Sequence, residues 1–197
     1  MLVGLVMLLA VVSVPPDCAL GRDGSTTVKI LIVYHSATGH TEKMAQGVAE
    51  GARSSGGTTV VLKRVEQVTA EDLLGSDAVI VGSPVYWSNM AGPVKTFFDD
   101  WQHKFGIYPG FKMRNKVGAA FATGGQVSSG KEVTMLTILA AMLGNQMIVV
   151  SGGGAFGASA TTEGESPGID GRELAGAKEL GQRVAEVTKM VKGAVKP

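Results

Sequence analysis

The segment VKILIVYHSATGHTEKMAQGVAEGARS, residues 28–54, joins an apolar run, a polar turn and an amphipathic stretch in that order. Residues 28–34 are almost continuously apolar, which is typical of a strand covered on both faces. From Thr41 to Ser54 the apolar residues recur on one helical stripe. The segment therefore predicts a strand, a short turn and a helix, which together form the repeating unit of an α/β protein.

The same alternation continues along the chain. We predict further strands at residues 58–62, 78–81, 117–122 and 147–150, and further helices capped by Thr69, at 93–104, at 131–143 and from Asp170 to Val191. Five strands alternating with five helices predict a doubly wound, five-stranded parallel sheet in a three-layer α/β/α fold. Ligands of such sheets bind beyond the carboxyl ends of the strands, so the loops that follow the strands are the candidate site.

The composition fits one globular domain and excludes several kinds of site. Apolar residues make up 45% of the 197 residues, and 18 Lys and Arg against 17 Asp and Glu give a net charge of +1. This balance gives no electrostatic reason to expect a nucleic acid partner. The one cysteine, Cys18, excludes a disulfide or a cysteine-ligated metal within one chain. We therefore predict no nucleic acid partner and no metal site.

Residues 1–27 form an apolar leader that precedes the predicted domain, residues 28–193. Met1 to Val14 is almost wholly apolar but shorter than the about 20 residues that cross a membrane. Residues 19–21, Ala-Leu-Gly, offer a signal-peptide cleavage site, although no Lys or Arg precedes the apolar run. Two alternatives stay open: an exported protein with a signal peptide, or a cytoplasmic protein with a mis-assigned start or an extension.

The turn after the first strand combines hydroxyl side chains, a glycine and a helix start. Ser36, Thr38 and Thr41 supply the hydroxyls, and Gly39 allows the chain to bend close to a ligand. Backbone N–H groups at a helix start favour an anion, so no lysine is required for a phosphate. The alternative is an ordinary capped turn. Because three hydroxyls exceed what capping requires, we predict a phosphate site.

The turns after the third and fourth strands suit a flat ligand. Tyr86 and Trp87 lie in the first of these turns, where local burial of two aromatic rings is difficult. A flat ligand would give the rings a partner, and the alternative is packing on neighbouring helices or another subunit. In the second turn, Gly124 and Gly125 let backbone amides approach the edge of a ligand.

A further motif matches a nucleotide-binding pattern but lacks its context. Residues 152–157, GGGAFG, fit G-x-G-x-x-G and follow a predicted strand. The dinucleotide fingerprint must also open a helix, with an acidic residue at the end of the next strand. Residues 158–168 instead have the composition of a loop, and Asp170 is better explained as a helix cap. We therefore predict that this motif binds no dinucleotide.

Two stretches resemble motifs of one protein family. IVYHSATGHTEKMA, residues 32–45, resembles the flavodoxin phosphate-loop signature. GSPVYWSNMAGPVKTFFDD, residues 82–100, resembles the isoalloxazine loop of flavodoxin-like NAD(P)H:quinone oxidoreductases, once called tryptophan-repressor-binding proteins. Residues 116–125 and 156–187 fit the same family. The resemblance, which covers residues 28–191, implies a flavodoxin-like sheet of strand order 2-1-3-4-5 that binds FMN non-covalently.

The resemblance also assigns residues to the cofactor. It implies that residues 36–41 hold the FMN phosphate, that the loop around Tyr86 meets the ring system and that the loop from Thr123 meets the polar edge of the ring. The FMN contacts implied are Ser36, Ala37, Thr38, Gly39, His40, Thr41, Pro84, Val85, Tyr86, Trp87, Asn89, Met90, Thr123, Gly124, Gly125 and Gln126. His40, Tyr86 and Gln126 are candidate proton sources, and no side chain is expected to be an obligate acid or base.

The activity that the resemblance implies is that of an FMN-dependent oxidoreductase. Hydride would pass from NADH or NADPH through flavin N5 to a quinone or similar acceptor, in a homo-oligomer of two or four copies. Thr38 stands where these enzymes often have an aromatic residue, and residues 141–143 replace a histidine pair; both departures concern the substrate pocket. The alternatives are a flavodoxin-type electron carrier, which is generally strongly acidic, and an FMN, azo or nitro reductase on the same scaffold.

Overall fold

The structure is a computed structural model that describes residues 26–162 and 169–194. Residues 1–25 of the predicted leader, with Cys18 and the proposed cleavage site, lie outside the described residues. Within the two described ranges, no helix combines the length and the apolar character needed to cross a membrane. The elements of the fold occupy Val28 to Ala194.

A parallel sheet forms the centre of the molecule. Its strands are β1 (Val28–Tyr34), β2 (Thr58–Arg64), β3 (Ala78–Tyr86), β4 (Asn89–Met90), β5 (Val117–Gly124), β6 (Ile148–Val149) and β7 (Ala158–Thr161). The spatial order is β2-β1-β3-β5-β6, with β7 also parallel to β5 and β4 forming a hairpin with β3. Because β6 and β7 line the same side of β5 as two segments of one fifth strand, the order is 2-1-3-4-5, and the predicted fold class is confirmed.

Within the described ranges, five α-helices cover the sheet, and all five are those predicted. They are α1 (His40–Ser54), α2 (Ala70–Leu74), α3 (Gly92–His103), α4 (Lys131–Gly144) and α5 (Gly171–Ala194). The predicted caps are confirmed: Thr69 Oγ1 accepts the Asp72 N–H at 3.2 Å, and Asp170 Oδ1 accepts the Glu173 N–H at 2.8 Å. The helix ends differ from the prediction by three residues or fewer, the largest difference being at the end of α5.

Side chains of β1 enter two separate cores. Ile30 and Ile32 pack on the face that α1 and α5 cover, and Leu31 and Val33 pack on the face that α2, α3 and α4 cover. All four side chains are fully buried. Burial on both faces explains why the strand is continuously apolar instead of alternating.

The fifth strand is the main departure from the prediction. β6 pairs with the start of β5, and β7 pairs with Phe121 to Gly124 at its end. The predicted loop at residues 158–168 is therefore wrong for Ala158–Thr161, while residues 163–168 lie outside the described residues. The four residues ASAT have only one β-branched side chain, so their place in the sheet comes from pairing with β5 rather than from local propensity.

The glycine-rich residues 152–157 lie in the loop between β6 and β7. They open no helix, as predicted from the sequence. A Cβ on Gly157, which has a φ of +135°, would lie 1.9 Å from the Ala120 carbonyl oxygen. A Cβ on Gly153 would lie 2.1 Å from the Gly176 carbonyl oxygen on α5. These glycines therefore allow the loop to pack closely on β5 and α5.

Candidate active site

Three chain segments leave the same edge of the sheet, because β1, β3 and β5 are parallel neighbours. We name them the first loop (residues 35–39), the hairpin (residues 84–90) and the glycine loop (residues 125–130). The ring of His35 in the first loop makes an edge contact with Tyr86 of the hairpin, with 6.5 Å between centroids. A Cβ on Gly130 would lie 2.9 Å from Ser88 Cα, so the hairpin also touches the glycine loop. The segments form one continuous surface.

The first loop presents the start of α1 without a side-chain cap. Gly39 is the N-cap residue, with a φ of 92°, and no described side chain caps the helix. The Lys43 N–H donates to the Gly39 carbonyl at 2.9 Å, while the N–H groups of His40, Thr41 and Glu42 have no acceptor within the described chain. These three donors, together with the dipole of the 15-residue helix, suit an anion.

The hydroxyls of the predicted phosphate site have different surroundings. Ser36 is buried, and its Oγ accepts the Gly39 N–H at 3.1 Å. Thr38 is exposed, and its Oγ1 lies 2.8 Å from His40 Nδ1. Thr41 is buried at the start of α1. Ser36 thus shapes the turn and Thr38 is the accessible hydroxyl, while donation by all three hydroxyls to one phosphate stays a prediction.

The glycine loop leaves room beside the end of β5. A Cβ on Gly124 would lie 2.1 Å from Ser129 Oγ, whereas one on Gly125 would meet no atom of the described residues within 4 Å. Ser129 Oγ is buried and has no hydrogen-bond partner in the described ranges. A Cβ on Gly39 would likewise meet nothing within 4 Å in the part of the chain that the structure describes. Open space beside two glycines, uncapped N–H donors and an unpaired hydroxyl fit a ligand with a phosphate at one end and a polar ring edge at the other.

The hairpin corrects the predicted end of the third strand. β3 continues past residue 81 to Tyr86 and pairs with Asn89–Met90, so the prediction of a loop over 82–92 is wrong in part. Trp87 and Ser88 form the two-residue turn with φ of 52° and 59°, values typical of a type I′ hairpin. Trp87 is fully exposed at the tip. The turn therefore projects an aromatic ring away from the sheet.

Gly82 explains why the sequence predicts a third strand that is shorter than β3. Glycine favours turns, but a Cβ on Gly82 would lie 2.0 Å from the Phe121 ring on β5. Glycine makes room for that ring within a continuous strand. Pro84 stands in register with Thr123, so Pro84 and Val85 belong to the strand that leads into the hairpin.

Two polar side chains hold the hairpin in place. Asn89 Oδ1 accepts the Met90 N–H at 2.7 Å and the Thr137 hydroxyl of α4 at 3.0 Å. Ser83 Oγ, which is fully buried, accepts the Ala91 N–H at 2.9 Å and donates to the Pro84 carbonyl. Ser83 has no role in the sequence prediction, although its position directly after a buried strand is a signal for one.

The three candidate proton sources occupy separate places. His40 lies on the first turn of α1, Tyr86 at the end of β3 and Gln126 in the exposed part of the glycine loop. In the part of the chain that the structure describes, no hydrogen bond or ring contact joins any two of them. They do not form a relay, and each remains a separate candidate. His35 beside Tyr86 is hydrogen-bonded through Nδ1 to Glu66 Oε1 at 3.2 Å.

Two basic residues at this edge are absent from the sequence prediction. Lys131 is buried, and its Nζ donates to the Gln126 carbonyl, the Val127 carbonyl and, at 2.6 Å, Thr161 Oγ1, which ties the glycine loop to β7. Arg64 ends β2 two residues beyond the predicted strand, and its position at a carboxyl end of the sheet is the signal that could have found it. The Glu42 carboxylate raises the pKa of Arg64.

Known sequences support one family. The family described as NADPH-dependent FMN reductase matches residues 66–162. A curated NAD(P)H dehydrogenase (quinone) from Rhodopseudomonas palustris is 33% identical over 193 residues, which cover 80% of this chain and 96% of that protein. A curated flavodoxin from Clostridium saccharobutylicum is 32% identical over 166 residues, which cover 83% of this chain and 99% of that protein.

Solved structures share the fold. A flavodoxin, WrbA-like protein from Agrobacterium tumefaciens matches with a TM-score of 0.69 and 25% identity, over 83% of this chain and 99% of that chain. A flavodoxin from the Archaea matches with a TM-score of 0.64 and 23% identity, over 82% of this chain and 99% of that chain. The sequence relatives and the strand order agree: this chain belongs to the flavodoxin-like family of FMN-dependent NAD(P)H:quinone oxidoreductases.

Proposed function

We propose that this protein binds FMN and uses it to pass two electrons from NADH or NADPH to a quinone-like small molecule. The observation that carries the proposal is the meeting of the uncapped start of α1 with the exposed aromatic hairpin at one sheet edge. The curated relatives named NAD(P)H dehydrogenase (quinone) support the class of acceptor.

The start of α1 would hold the phosphate end of FMN. Three backbone N–H groups, those of residues 40–42, have no acceptor among the described residues, and the Thr38 hydroxyl is exposed beside them. Because the donors belong to the backbone of a packed helix, they are fixed before the ligand arrives. This arrangement would bind a phosphate without direct contact from a lysine or arginine.

The hairpin and the glycine loop would hold the ring. Tyr86 and Trp87 offer aromatic faces, and the anchoring of Asn89 on Thr137 keeps them in place. Gly125 leaves its backbone accessible to the polar edge of the ring. FMN supplies the hydride-accepting and hydride-donating chemistry, which no amino acid side chain provides. The protein therefore binds and orients the reactants.

An anaerobic titration tests the proposal. The purified protein, loaded with FMN, is titrated with NADH or NADPH in the absence of oxygen, and benzoquinone is added afterwards. We expect the visible flavin absorption to bleach when NADH or NADPH is added and to return when benzoquinone is added. Failure of the apoprotein to bind FMN would contradict the proposal. FMN binding without bleaching would contradict the oxidoreductase function and would favour an electron carrier.

An electron-carrier function is the second candidate, because one curated relative with 99% of its length covered is named flavodoxin. Carriers dock on partner proteins by charge, and this chain has a net charge of only +1. Steady-state turnover of NADH with benzoquinone distinguishes the two functions, and comparison of FMN, azo and nitro acceptors in the same assay identifies the class of acceptor.

We further propose that the protein assembles with copies of itself through α4. The solvent face of this helix carries Val133, Leu136, Ala140 and Leu143, all exposed and spaced as in a helix–helix seam. A stripe of apolar side chains suits the same stripe of a second copy better than a charged partner. Light scattering should give a dimer or a tetramer, and Leu136→Lys should lower the mass of a dimer to that of a monomer or the mass of a tetramer to that of a dimer. A monomeric wild-type protein would contradict this proposal.

A further inference from the structure

Arg64 connects three elements around the start of α1. It ends β2, directly beside Tyr34 at the end of β1, and its guanidinium carbon lies 5.5 Å from the centre of the Tyr34 ring. Nη1 donates to the Ser36 carbonyl oxygen at 2.9 Å, and Nη2 donates to Glu42 Oε2 at 2.8 Å. One side chain thus contacts the end of β1, the first loop and the first turn of α1.

The bond to Ser36 fixes the direction of a peptide group in the first loop. The Ser36 carbonyl is held on the β2 side by Arg64, while the Ser36 hydroxyl accepts the Gly39 N–H at the other end of the loop. A carbonyl oxygen that turned towards the uncapped N–H groups would repel an anion there. Arg64 therefore helps to keep the first loop in the conformation that leaves those donors free.

The bond to Glu42 has an electrostatic consequence. Glu42 is the third residue of α1, so its carboxylate lies at the helix end where a phosphate would bind. An unpaired carboxylate would compete with the phosphate for the positive end of the helix dipole and would repel it. Because Arg64 and Glu42 are paired with about a third of each side chain exposed, the pair lowers the negative charge near the first loop without enclosing it.

We propose that Arg64 is a positioning residue for the phosphate group of the cofactor, acting through the Ser36 carbonyl and the Glu42 carboxylate. The proposal rests on the proposed FMN function. It states that Arg64 affects binding of the phosphate group and does not affect binding of the ring system. Arg64 therefore selects FMN over riboflavin, which has the same ring system and lacks the phosphate.

Binding of both flavins to the apoprotein tests this role. Dissociation constants for FMN and for riboflavin are measured by fluorescence for the wild type, Arg64→Ala, Arg64→Lys, Glu42→Gln and the double variant Arg64→Ala/Glu42→Gln. We expect Arg64→Ala to weaken FMN binding about tenfold, the effect of one charge-assisted hydrogen bond, and to change riboflavin binding less than about threefold. The loss should be smaller at high salt, because salt screens the exposed Glu42 charge.

The Glu42→Gln substitution separates the effect of the Glu42 charge on FMN binding from the effect of the position of the first loop. Glu42→Gln should restore part of the FMN affinity in the Arg64→Ala background, and Arg64→Lys should retain part of it, because one ammonium cannot reproduce both bonds. Arg53→Ala, an exposed arginine in the last turn of the same helix, is the matched control and should leave both affinities unchanged. Circular dichroism shows whether each variant folds. If Arg64→Ala does not fold, the single variant Glu42→Gln still tests the proposal, because removal of the Glu42 charge should make FMN bind more tightly than in the wild type.

The two proposals fail in different ways. If the wild-type apoprotein binds neither flavin, the proposed function is wrong. If it binds riboflavin and FMN equally, the phosphate site and the role of Arg64 are wrong, while the proposed electron transfer still stands. If the wild type prefers FMN and Arg64→Ala retains that preference in full, only the role of Arg64 is overturned. Equal loss of both flavins in Arg64→Ala also overturns it, because that result indicates a general structural effect.

Discussion

Thr41 at the start of α1 and Thr123 near the end of β5 share a buried hydrogen bond, with 2.8 Å between their hydroxyl oxygens. The two residues are 82 positions apart, and 2–3% of each is exposed. The bond ties the start of the helix that would hold the phosphate to the strand that leads into the glycine loop. Displacement of one segment is therefore expected to disturb the other.

Removal of either hydroxyl alone should lower the free energy of unfolding by more than half of the decrease caused by removing both. Thr41→Val and Thr123→Val each leave a buried hydroxyl without its partner, and each should lower the free energy of unfolding by about 1–3 kcal/mol. The double variant removes both polar groups and should cost less than the sum of the single changes. Urea denaturation measures all three, and strictly additive losses would show that the bond contributes little.

Gly82 should not tolerate a side chain. A methyl group there would lie 2.0 Å from the Phe121 ring, so Gly82→Ala must displace that ring or the strand and should cost about 1–3 kcal/mol. Gly144→Ala, at the end of α4, is the control because a Cβ there would meet none of the described residues within 4 Å. Thermal unfolding should show a lower Tm for the first variant only, and an unchanged Tm for Gly82→Ala would contradict the packing.

Trp87 should serve binding and not stability. It is fully exposed, whereas Trp101, the other tryptophan, is buried between α3 and the sheet. Trp87→Ala should leave the free energy of unfolding within about 0.5 kcal/mol and weaken FMN binding about two- to tenfold, while Trp87→Phe should lose less. Flavin titration monitored by flavin fluorescence measures the FMN affinity, and urea denaturation measures the free energy of unfolding. A large fall in Tm with unchanged FMN affinity would assign Trp87 a structural role instead.

Asp72 should stabilise the fold except at acid pH. Burial raises the pKa of this carboxylate, but hydrogen bonds from Lys63 and Thr69 outweigh burial and hold the pKa below its usual value. A lowered pKa in the folded state gives stability that is present above the unfolded value, about 3.9, and is lost as the pH falls through the folded value. Asp72→Asn should therefore be destabilising by about 1 kcal/mol at pH 7 and by much less near pH 2.

The control for Asp72 is Asp99, which pairs with Lys95 on the exposed side of α3. Asp99→Asn should change the free energy of unfolding by less than about 0.5 kcal/mol, because exposed ion pairs contribute little. Urea denaturation of both variants between pH 2 and pH 7 makes the comparison. A difference between wild type and Asp72→Asn that stayed constant over this range would rule out the carboxylate as its source.

Local patterns in the sequence determined the elements and the general position of the site. Continuous apolar runs identify buried strands because both sheet faces are covered, and the Ser-Ala-Thr-Gly turn identifies a helix start that can bind an anion. The family resemblance added the strand order, which alternation of elements alone leaves undetermined. These properties depend on residues that are close together in the chain.

Tertiary structure decided what depends on distant partners. β7 is a strand because Ala158–Thr161 pairs with the end of β5, and Gly82 lies within a strand because the Phe121 ring occupies the space of its side chain. Arg64 reaches the first loop only because β2 lies beside β1. The physical reason is the same in each case: backbone pairing and side-chain contact across the sheet override short-range propensity, and neither is encoded in the neighbouring residues alone.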